Sequence, residues 1–370
     1  MASLIEKLGE VPDPRRGNAQ RHGLLDILTI ALVASVCGAE SCVDFAEFAE
    51  DRETLLREFL SLENGLPSHD TFSRVFRLLD PAAFGRVFEA FLDDLGAGGD
   101  GVLAIDGKTL RRSFDRAAGR SALHVVTAFG SGARVAIAQR AVAEGENEIL
   151  AARAMLESLA LDGMLVTGDA IHAQAGTAAV ILAQGGDDLF ALKANRPAML
   201  REVEAFFDDP PGGLDAFETT DADHGRIETR RHRVTHDTGW LFSDRRYAGE
   251  PRLPGLATLA CVEATRTQDG KTTRATRCYL SSARLTPESF ARAVRGHWAI
   301  ENSLHWVLDV TFDEDRARNR RDNGPENLAI LRRLTVNQLN KARPKMSLAR
   351  KRKRAGWSDA FARTIIGQMR

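Results

Sequence analysis

Apolar positions recur with helical spacing through the first hundred residues. The segment Leu24–Cys37 is apolar on nearly every side, which predicts a buried helix. Amphipathic segments follow at 43–49 and 52–62, and Asp80-Pro81 predicts a helix start that continues over 82–95. This part of the chain is therefore expected to be an all-helical domain.

The helical pair at 52–79 leaves two interpretations open. It could be a DNA-binding helix-turn-helix with Thr71, Arg74 and Arg77 facing DNA. Short helix pairs also occur in many proteins purely as packed structure, and we favour that interpretation.

Beyond the glycine-rich stretch at 96–101, which is a linker by composition, the spacing of apolar residues changes. Short apolar runs alternate with helical segments, a pattern that predicts a mixed α/β sheet. The predicted strands are 102–106, 124–129, 135–142, 164–169, 189–192 and 278–281, and the predicted helices are 148–159, 170–183, 287–309 and 325–341. The alternation stops between about 200 and 275, where short alternating segments indicate a β-rich insertion.

The amino-acid composition mainly excludes classes of protein. With 44% hydrophobic and 27% charged residues, the chain is neither disordered nor collagenous nor a coiled coil. Its longest uncharged apolar run, 27–39, is too short to span a bilayer, and residues 1–7 lack the features of a signal peptide. The four cysteines match neither a disulfide framework nor a zinc motif, so we expect a cytosolic protein.

The net charge of −1 conceals an asymmetry along the chain. Residues 316–370 carry 16 Lys+Arg against 3 Asp+Glu, whereas residues 1–315 carry 34 against 48. A basic end on an acidic body favours a polyanionic partner, although a solvated basic tail explains the charge equally well.

Two carboxylates mark the candidate chemistry. Asp106 and Asp169 each end a predicted buried strand, where adjacent strands can bring them together at the edge of a sheet. Side-by-side carboxylates repel unless a cation lies between them, and Mg²⁺ binds such oxygen ligands. A pair of ions needs a third carboxylate, for which Glu301 on the long helix is the candidate. Taken singly, an aspartate at a strand end is usually a turn residue or a helix cap.

Glu301 competes with acidic residues further along. Its helical spacing from Val294, Leu304 and Leu308 predicts that its carboxylate points inward. Asp309 lies about 12 Å further along the helix axis, too far to share one metal pair. The remaining acids are expected to form ion pairs with nearby arginines: Asp313, Glu314 and Asp315 with Arg316, Arg318, Arg320 and Arg321.

Longer motifs carry a family resemblance that covers about residues 10–340. They are Pro12-Asp13-Pro14-Arg15-Arg16, Cys37-Gly38-Ala39-Glu40-Ser41, Leu66-Pro67-Ser68-His69-Asp70-Thr71-Phe72, Ala104-Ile105-Asp106-Gly107-Lys108-Thr109-Leu110-Arg111, Asn147-Glu148-Ile149, Val166-Thr167-Gly168-Asp169-Ala170, Ala191-Leu192-Lys193-Ala194-Asn195, His224-Gly225-Arg226-Ile227-Glu228-Thr229-Arg230 and Arg295-Gly296-His297-Trp298-Ala299-Ile300-Glu301-Asn302-Ser303-Leu304-His305-Trp306. These residues resemble the H-repeat-associated insertion-sequence transposases, which are DDE transposases with a ribonuclease-H-like core.

The resemblance implies a function and a catalytic set. Asp106, Asp169 and Glu301 would be the three acids, holding two divalent ions (Mg²⁺ or Mn²⁺) when DNA is bound. The implied reaction is hydrolysis of double-stranded DNA at the element's ends, followed by joining of the freed 3′-hydroxyl to target DNA. The acids are 63 and 132 residues apart, with the insertion in the longer gap.

The sequence departs from the wider group around the third acid. Where that group has a Tyr, Arg, Glu, Lys signature, this chain has Val294, His297, Glu301 and, near the lysine position, Leu308 or Asp309. Phosphate contacts must therefore be made differently. Candidates are Arg292, Arg295 and His297.

Further cations are candidates for DNA contact, each with a structural alternative. Lys108, Arg111 and Lys193 lie next to the acids and could bind phosphates or pair with the carboxylates themselves. Arg226 and Arg230 share one face of a predicted strand, either against DNA or as a solvated edge. The basic run is a candidate for non-specific binding: Lys351, Arg352, Lys353 and Arg354.

Two other features have alternative interpretations. His297, Glu301 and His305 are four residues apart and could form a mononuclear metal site, although a polar rim beside the acids is favoured. Trp298 and Trp306 are expected to be core anchors rather than platforms for base stacking.

The sequence thus predicts an α/β transposase with three parts: a helical domain at 1–97, a ribonuclease-H-like DDE domain at 98–345 with an insertion at about 200–275, and a basic segment at 346–370. We expect a homodimer on DNA, in the bacterial cytosol and nucleoid-associated when bound, with no membrane partner. The alternatives are a metal-dependent nuclease without strand transfer and an inactive DNA-binding relic.

Overall fold

The computed structural model describes residues 3–92, 101–223, 226–242 and 253–369. The chain forms two compact units, which we name the terminal and the central unit. The terminal unit comprises residues 1–99, 107–148 and 300–370, and the central unit comprises residues 100–106 and 149–299. The first strand, β1 (Val102–Thr109), contributes residues to both. The predicted division at residues 97 and 345 stays a prediction.

The helices largely follow the predicted order. They are α1 (Leu4–Gly9), α2 (Leu24–Cys37), α3 (Cys42–Asp51), α4 (Glu53–Leu56), α5 (His69–Leu78), α6 (Pro81–Gly85), α7 (Glu148–Leu156), α8 (Ala175–Ala183), α9 (Pro197–Asp208), α10 (Pro287–Ile300), α11 (Trp306–Val310), α12 (Gly324–Lys341), α13 (Leu348–Trp357) and α14 (Asp359–Gly367). Short 3₁₀ turns lie between some of them, and a π-helix, Glu301–His305, joins α10 to α11.

The terminal unit has α2 at its centre. As its apolar pattern predicted, α2 is buried along most of its length, and it packs against α3, α12, α13 and α14. The strands β2 (His124–Gly130) and β3 (Val135–Ala141) belong to this unit and pair antiparallel. Asn337 fixes α12 on β3, because its side chain accepts from the Ala136 amide at 2.8 Å and donates to the Ala136 carbonyl at 2.7 Å.

The central unit is built on a mixed sheet. Its strands are β1, β4 (Leu165–Gly168), β5 (Asp187–Leu192), β6 (Ala216–Asp223), β7 (Arg226–Thr235), β8 (Thr258–Gln268) and β9 (Lys271–Ser281). The order is β1-β4-β5-β9-β8-β7-β6, with β1, β4 and β5 parallel and the other pairings antiparallel. The predicted β-rich insertion therefore extends the sheet through β9, which pairs directly with β5. A buried apolar cluster that includes Leu189, Val262 and Phe290 packs α10 on the sheet.

Several predicted segments differ in the structure. The helix expected at 170–183 is a 3₁₀ turn over Ala170–His172 followed by α8. The helix expected at 52–62 is helical only over α4, and twelve residues separate it from α5, whereas a helix-turn-helix has a turn of three or four. The helix expected at 82–95 becomes α6 followed by the 3₁₀ segment Arg86–Phe91. The basic segment at 346–370 contains the packed helices α13 and α14 instead of a tail.

Some expectations lie outside the described residues. These are most of the linker at 96–101 and the motif residues His224 and Gly225. Within the described parts, no single helix is both long and apolar enough to cross a membrane, and the one pair that passes by length and composition, α2 with α3, is bent by 90°.

Candidate active site

Asp106 and Asp169 belong to neighbouring parallel strands of the central unit. Asp169 directly follows β4 as expected, but Asp106 lies within β1, which continues to Thr109, so the prediction that Asp106 ends its strand is wrong. The pairing of β1 with β4 joins Val102 to Leu165 and Ala104 to Thr167, a constant offset of 63 residues. Asp106 and Asp169 are separated by the same 63 residues. Continued by two residues, this register sets the two aspartates level on strands about 4.8 Å apart.

Asp169 is paired with a predicted phosphate-binding cation. Lys193 donates from Nζ to both carboxylate oxygens, at 2.7 and 2.9 Å. The side chains of Lys193 and Asp169 are 57% and 47% exposed, so water screens the pair and its net stabilisation is small. A divalent cation or a phosphate group would therefore displace this contact readily.

His297 lies beside the same acids on α10. Its Nδ1 is 3.2 Å from the Thr167 hydroxyl on β4. Burial lowers the pKa of His297 below its usual value, while the nearby carboxylates of Asp106 and Asp169 oppose that shift. Burial outweighs the two carboxylates, so His297 is a neutral hydrogen-bonding group at pH 7 rather than a permanent cation.

The predicted arginines of the central unit form ion pairs on an exposed surface. Arg230 and Arg295 both donate to Asp221, at 2.5 and 2.6 Å, and the hydrogen bond from Arg230 is the main reason that the pKa of Asp221 is lowered. Arg226 lies 3.5 Å from Glu228. Arg292 is exposed on α10.

Both tryptophans of the long helical run are exposed, which makes the prediction of core anchors wrong. Trp298 is 45% and Trp306 is 59% exposed. In the central unit, the guanidinium of Arg277 lies 5.6 Å from the Trp298 ring. The apolar residues Ile300 and Leu304 provide the packing instead.

Glu301, in the terminal unit, opens the π-helix. Its side chain is 55% exposed, so the predicted inward orientation is wrong, although Leu304 and Leu308 are fully buried as expected. The carboxylate lies 4.0 Å from Nδ1 of His305, which is buried. π-Helices are rare and occur frequently at functional sites. Glu301 and His305 thus offer one oxygen and one nitrogen ligand on a single turn.

Lys108 is held by acids other than the catalytic candidates. Its Nζ lies 2.7 Å from Asp309 and 3.2 Å from Asp315, and Arg111 also contacts Asp315 at 3.1 Å. Lys108 is buried and forms several ion pairs. It therefore pairs with carboxylates in the terminal unit, which was the alternative to binding a DNA phosphate. Arg111 is 80% exposed and can reach a phosphate.

The expected arginine partners of the later acids are only partly correct. Asp313 lies 3.6 Å from Arg316, as predicted. Glu314 instead forms a fully buried pair with Arg333 at 3.2 Å, and Asp315 contacts Lys108. The prediction was based on arginines close by in the sequence, whereas Arg333 and Lys108 come from more distant parts of the chain.

The basic run on α13 divides by burial. Lys351 donates to the Leu339 carbonyl at 2.6 Å. Arg352 donates to three carbonyl oxygens and to Glu40, and its guanidinium lies 4.4 Å from the Phe312 ring. Lys353 and Arg354 are exposed. Only these two cations of the run can present their full charge to a polyanion.

The three candidate acids offer the ligands that a hard divalent cation prefers. Asp106 and Asp169 supply carboxylate oxygens in the central unit, and Glu301 supplies another in the terminal unit, all at least partly accessible. Oxygen ligands of this kind suit Mg²⁺ or Mn²⁺. Sequence reasoning missed Thr167 as the partner of His297, because nothing in its motif indicates a contact 130 residues away.

Paired carboxylates on a sheet edge, with basic side chains around them, are typical of enzymes that act on phosphodiesters. Comparison with known proteins gives the family. Residues 97–338 match the model described as the transposase DDE domain, and residues 5–92 match the model described as DDE_Tnp_1-associated. The chain belongs to the DDE transposase family.

Similar proteins agree with this assignment. Two from Escherichia coli (strain K12), "H repeat-associated putative transposase YhhI" and "Putative protein YbfL", are each 34% identical over 374 residues, which cover 99% of this chain and 98% of theirs. "Uncharacterized protein in dhlA 3'region" from Xanthobacter autotrophicus is 41% identical over 285 residues, 75% of this chain and 93% of its own. The predicted resemblance to H-repeat-associated transposases is therefore confirmed.

Proposed function

We propose that this chain cuts double-stranded DNA at the ends of an insertion sequence and joins the freed 3′-hydroxyl to target DNA. Asp106, Asp169 and Glu301 are the catalytic acids of this proposal. They would hold two Mg²⁺ or Mn²⁺ ions when DNA is bound. The protein would act as a homodimer on DNA in the bacterial cytosol.

One observation carries the proposal: the register of β1 and β4 matches the spacing of the two aspartates. Two ionised carboxylates held level on adjacent strands repel each other, and a cation between them removes that cost. A structural role would not require both strands to carry a carboxylate at the same height.

Glu301 is proposed as the third acid because it stands in the motif Arg295–Trp306, which resembles the family. It follows His297 by four residues and opens the π-helix. Its side chain is 55% exposed in the terminal unit, so the carboxylate is accessible to a divalent ion.

The neighbouring side chains have distinct roles in this proposal. Bound divalent ions would activate the attacking oxygen and stabilise the leaving oxygen. Lys193, released from Asp169, binds a DNA phosphate, and Arg111 binds another beyond the end of β1. His297, held neutral, keeps the β4 edge in place through Thr167.

The strand order supports a ribonuclease-H-like core. In the terminal unit β1 neighbours β2 of the β2–β3 hairpin, and in the central unit β1 is followed by parallel β4 and β5. Neighbouring parallel strands that carry Asp106 and Asp169 in the same register, together with an antiparallel hairpin, fit the core implied by the family resemblance.

End cleavage tests the proposal. Purified protein is incubated with Mg²⁺ or Mn²⁺ and duplex DNA carrying its own element ends, and nicks at those ends are mapped. Asp106→Asn and Asp169→Asn should abolish cleavage and leave metal-free thermal stability unchanged or higher, because each change removes repulsion. The matched control, Asp51→Asn at the exposed last residue of α3, should cleave normally. Full cleavage by either active-site variant would refute the assignment.

A strand-transfer assay separates the main proposal from its alternative. Pre-cleaved element ends are mixed with plasmid DNA, and joined products are scored. Joining supports a transposase, whereas cleavage without joining supports a nuclease. Binding without either reaction in the wild-type protein would indicate an inactive relic.

A further inference from the structure

Three side chains form a continuous hydrogen-bonded chain in the terminal unit, at the end of β1. The Thr109 hydroxyl lies 2.8 Å from Nδ1 of His124, and Nε2 of His124 lies 2.7 Å from Oε2 of Glu148. The residues come from the end of β1, the start of β2 and the start of α7. These hydrogen bonds therefore connect the end of β1, the start of β2 and the start of α7, close in sequence to Asp106.

The direction of the hydrogen bonds follows from the carboxylate. An ionised Glu148 only accepts, so Nε2 of His124 carries the proton. In the neutral imidazole Nδ1 is then an acceptor, and the Thr109 hydroxyl donates to it. Each partner thus fixes the tautomer and the orientation of the next.

The hydrogen-bonded side chains of His124 and Glu148 approach the backbone closely at Gly107, the residue after Asp106. A Cβ at Gly107 would lie 2.5 Å from the Glu148 carboxyl group and 2.5 Å from Nε2 of His124. Only glycine leaves room for the His124–Glu148 contact at this position. The contact therefore sits directly over the residue that follows Asp106.

The two faces of the strand end are held separately. Side chains alternate along a strand, so Gly107 and Thr109 share one face while Asp106 and Lys108 share the other. On the second face Lys108 is held by Asp309 and Asp315. On the first face the histidine is itself anchored, since its carbonyl accepts from the Val142 amide at 2.9 Å.

We propose that Thr109, His124 and Glu148 are positioning residues that hold the end of β1 so that Asp106 keeps the geometry needed to bind a divalent cation. The inference rests on the proposed function. A carboxylate on a strand end that could twist or fray would lose alignment, and small misplacements of a catalytic group are costly. Holding the strand from the opposite face leaves the Asp106 face open.

Paired substitutions test this role. Thr109→Val and Glu148→Ala remove hydrogen bonds, whereas Thr109→Ser and Glu148→Gln keep a donor and an acceptor in place. Thr364→Val, at an exposed position of α14, is the matched control for loss of a threonine hydroxyl. Two readouts need no DNA: Mn²⁺ affinity, from the electron paramagnetic resonance signal of free Mn²⁺, and amide hydrogen exchange of residues 106–110 without metal.

Loss of a residue that orients a metal ligand typically lowers metal affinity by 10–100-fold. The Thr109–His124–Glu148 hydrogen bonds act on Asp106 through the backbone, so we expect Thr109→Val and Glu148→Ala to lower Mn²⁺ affinity by about 10-fold. Both should exchange amides faster at 106–110. The Mn²⁺ affinity of Thr109→Ser and Glu148→Gln should stay within about 2-fold of wild type, because the hydroxyl donor and the carbonyl acceptor remain. The same is expected for Thr364→Val, which leaves all three hydrogen-bonded residues in place. Gly107→Ala should lower Mn²⁺ affinity as much as Glu148→Ala does. In the double variant the loss of binding free energy should be smaller than the sum of the two single losses.

Equal Mn²⁺ affinity in the deleting and the conserving variants would overturn the inference, as would unchanged amide exchange in Glu148→Ala. Asp106→Asn separates this failure from that of the proposed function. If Asp106→Asn still cleaves DNA or still binds Mn²⁺ like wild type, the proposed function itself fails. If it does neither and Thr109→Val behaves as wild type, only the positioning role is refuted.

Discussion

Arg352 should matter for stability and not for DNA binding, although it lies in the most basic run of the sequence. Its side chain is almost completely buried and donates to the carbonyl oxygens of Ser35, Ala39 and Thr311 and to Glu40. The Ser35 carbonyl lies in the last turn of α2 and Ala39 lies two residues beyond it, at a helix C-terminus where a cation is favourable. Arg352→Met keeps the length of the side chain and removes every one of these hydrogen bonds.

The magnitude follows from the groups left behind. A buried acceptor without a donor costs about 1–3 kcal/mol, and breaking a buried charged network costs about 3–5 kcal/mol. We therefore expect Arg352→Met to lower the free energy of unfolding by about 3–5 kcal/mol. Lys353→Gln, one residue further on and exposed, should change it by less than about 0.5 kcal/mol.

Two assays on the same variants separate the roles. Urea unfolding followed by circular dichroism gives the stability change. Binding to random duplex DNA at several salt concentrations gives the slope of log K against log salt. Each lost phosphate contact should reduce that slope by about 0.9, so Lys353→Gln and Arg354→Gln should reduce it and Arg352→Met should not. A flatter slope for Arg352→Met with unchanged stability would refute this reasoning.

Two further predictions concern acidic residues. Glu301→Gln should abolish metal-dependent end cleavage while Asp313→Asn keeps it; the reverse result would mean that the third acid is misplaced. Asp188 is buried on β5, and desolvation raises its pKa to about 7 from a usual 3.8. Because the folded state holds this proton more tightly, the resulting stability is present below about pH 4 and is lost as the pH rises through about 7. Asp188→Asn should therefore be more stable than wild type at pH 8 and should show a flatter pH dependence in thermal melts; equal melting temperatures at pH 8 would contradict it.

Where local pattern and burial agree, the sequence predicted the fold well. Leu24–Cys37 is a buried helix over the same residues because it is apolar on nearly every side, which favours a place in the core. The runs at 102–106 and 164–169 form buried strands, as their continuous apolar character indicated, although β1 continues to Thr109. Their parallel pairing is visible only in the structure. Short-range signals of this kind depend only on adjacent residues.

Surface features were harder to predict. Trp298 and Trp306 were expected to be core anchors, yet both are exposed, because the exposure of an aromatic residue depends on which helix face meets a neighbour. Glu301 was expected to point inward from α-helical spacing, but the run becomes a π-helix at that residue and the facing changes. A helical period that changes midway gives no warning in the residue pattern.

The sequence by itself determined the family, the three candidate acids and most strands and helices, because motifs and periodicity are local properties. Only the tertiary structure decided which charges are free to act. Lys351 and Lys353 are identical in sequence terms, but the first donates to a buried carbonyl and the second is exposed. Likewise, nothing local indicates that His124 joins Thr109 to Glu148, since those partners meet only when β1, β2 and α7 have packed. The environment of a charge is set by elements distant in the chain, and burial then fixes whether that charge serves the fold or a partner.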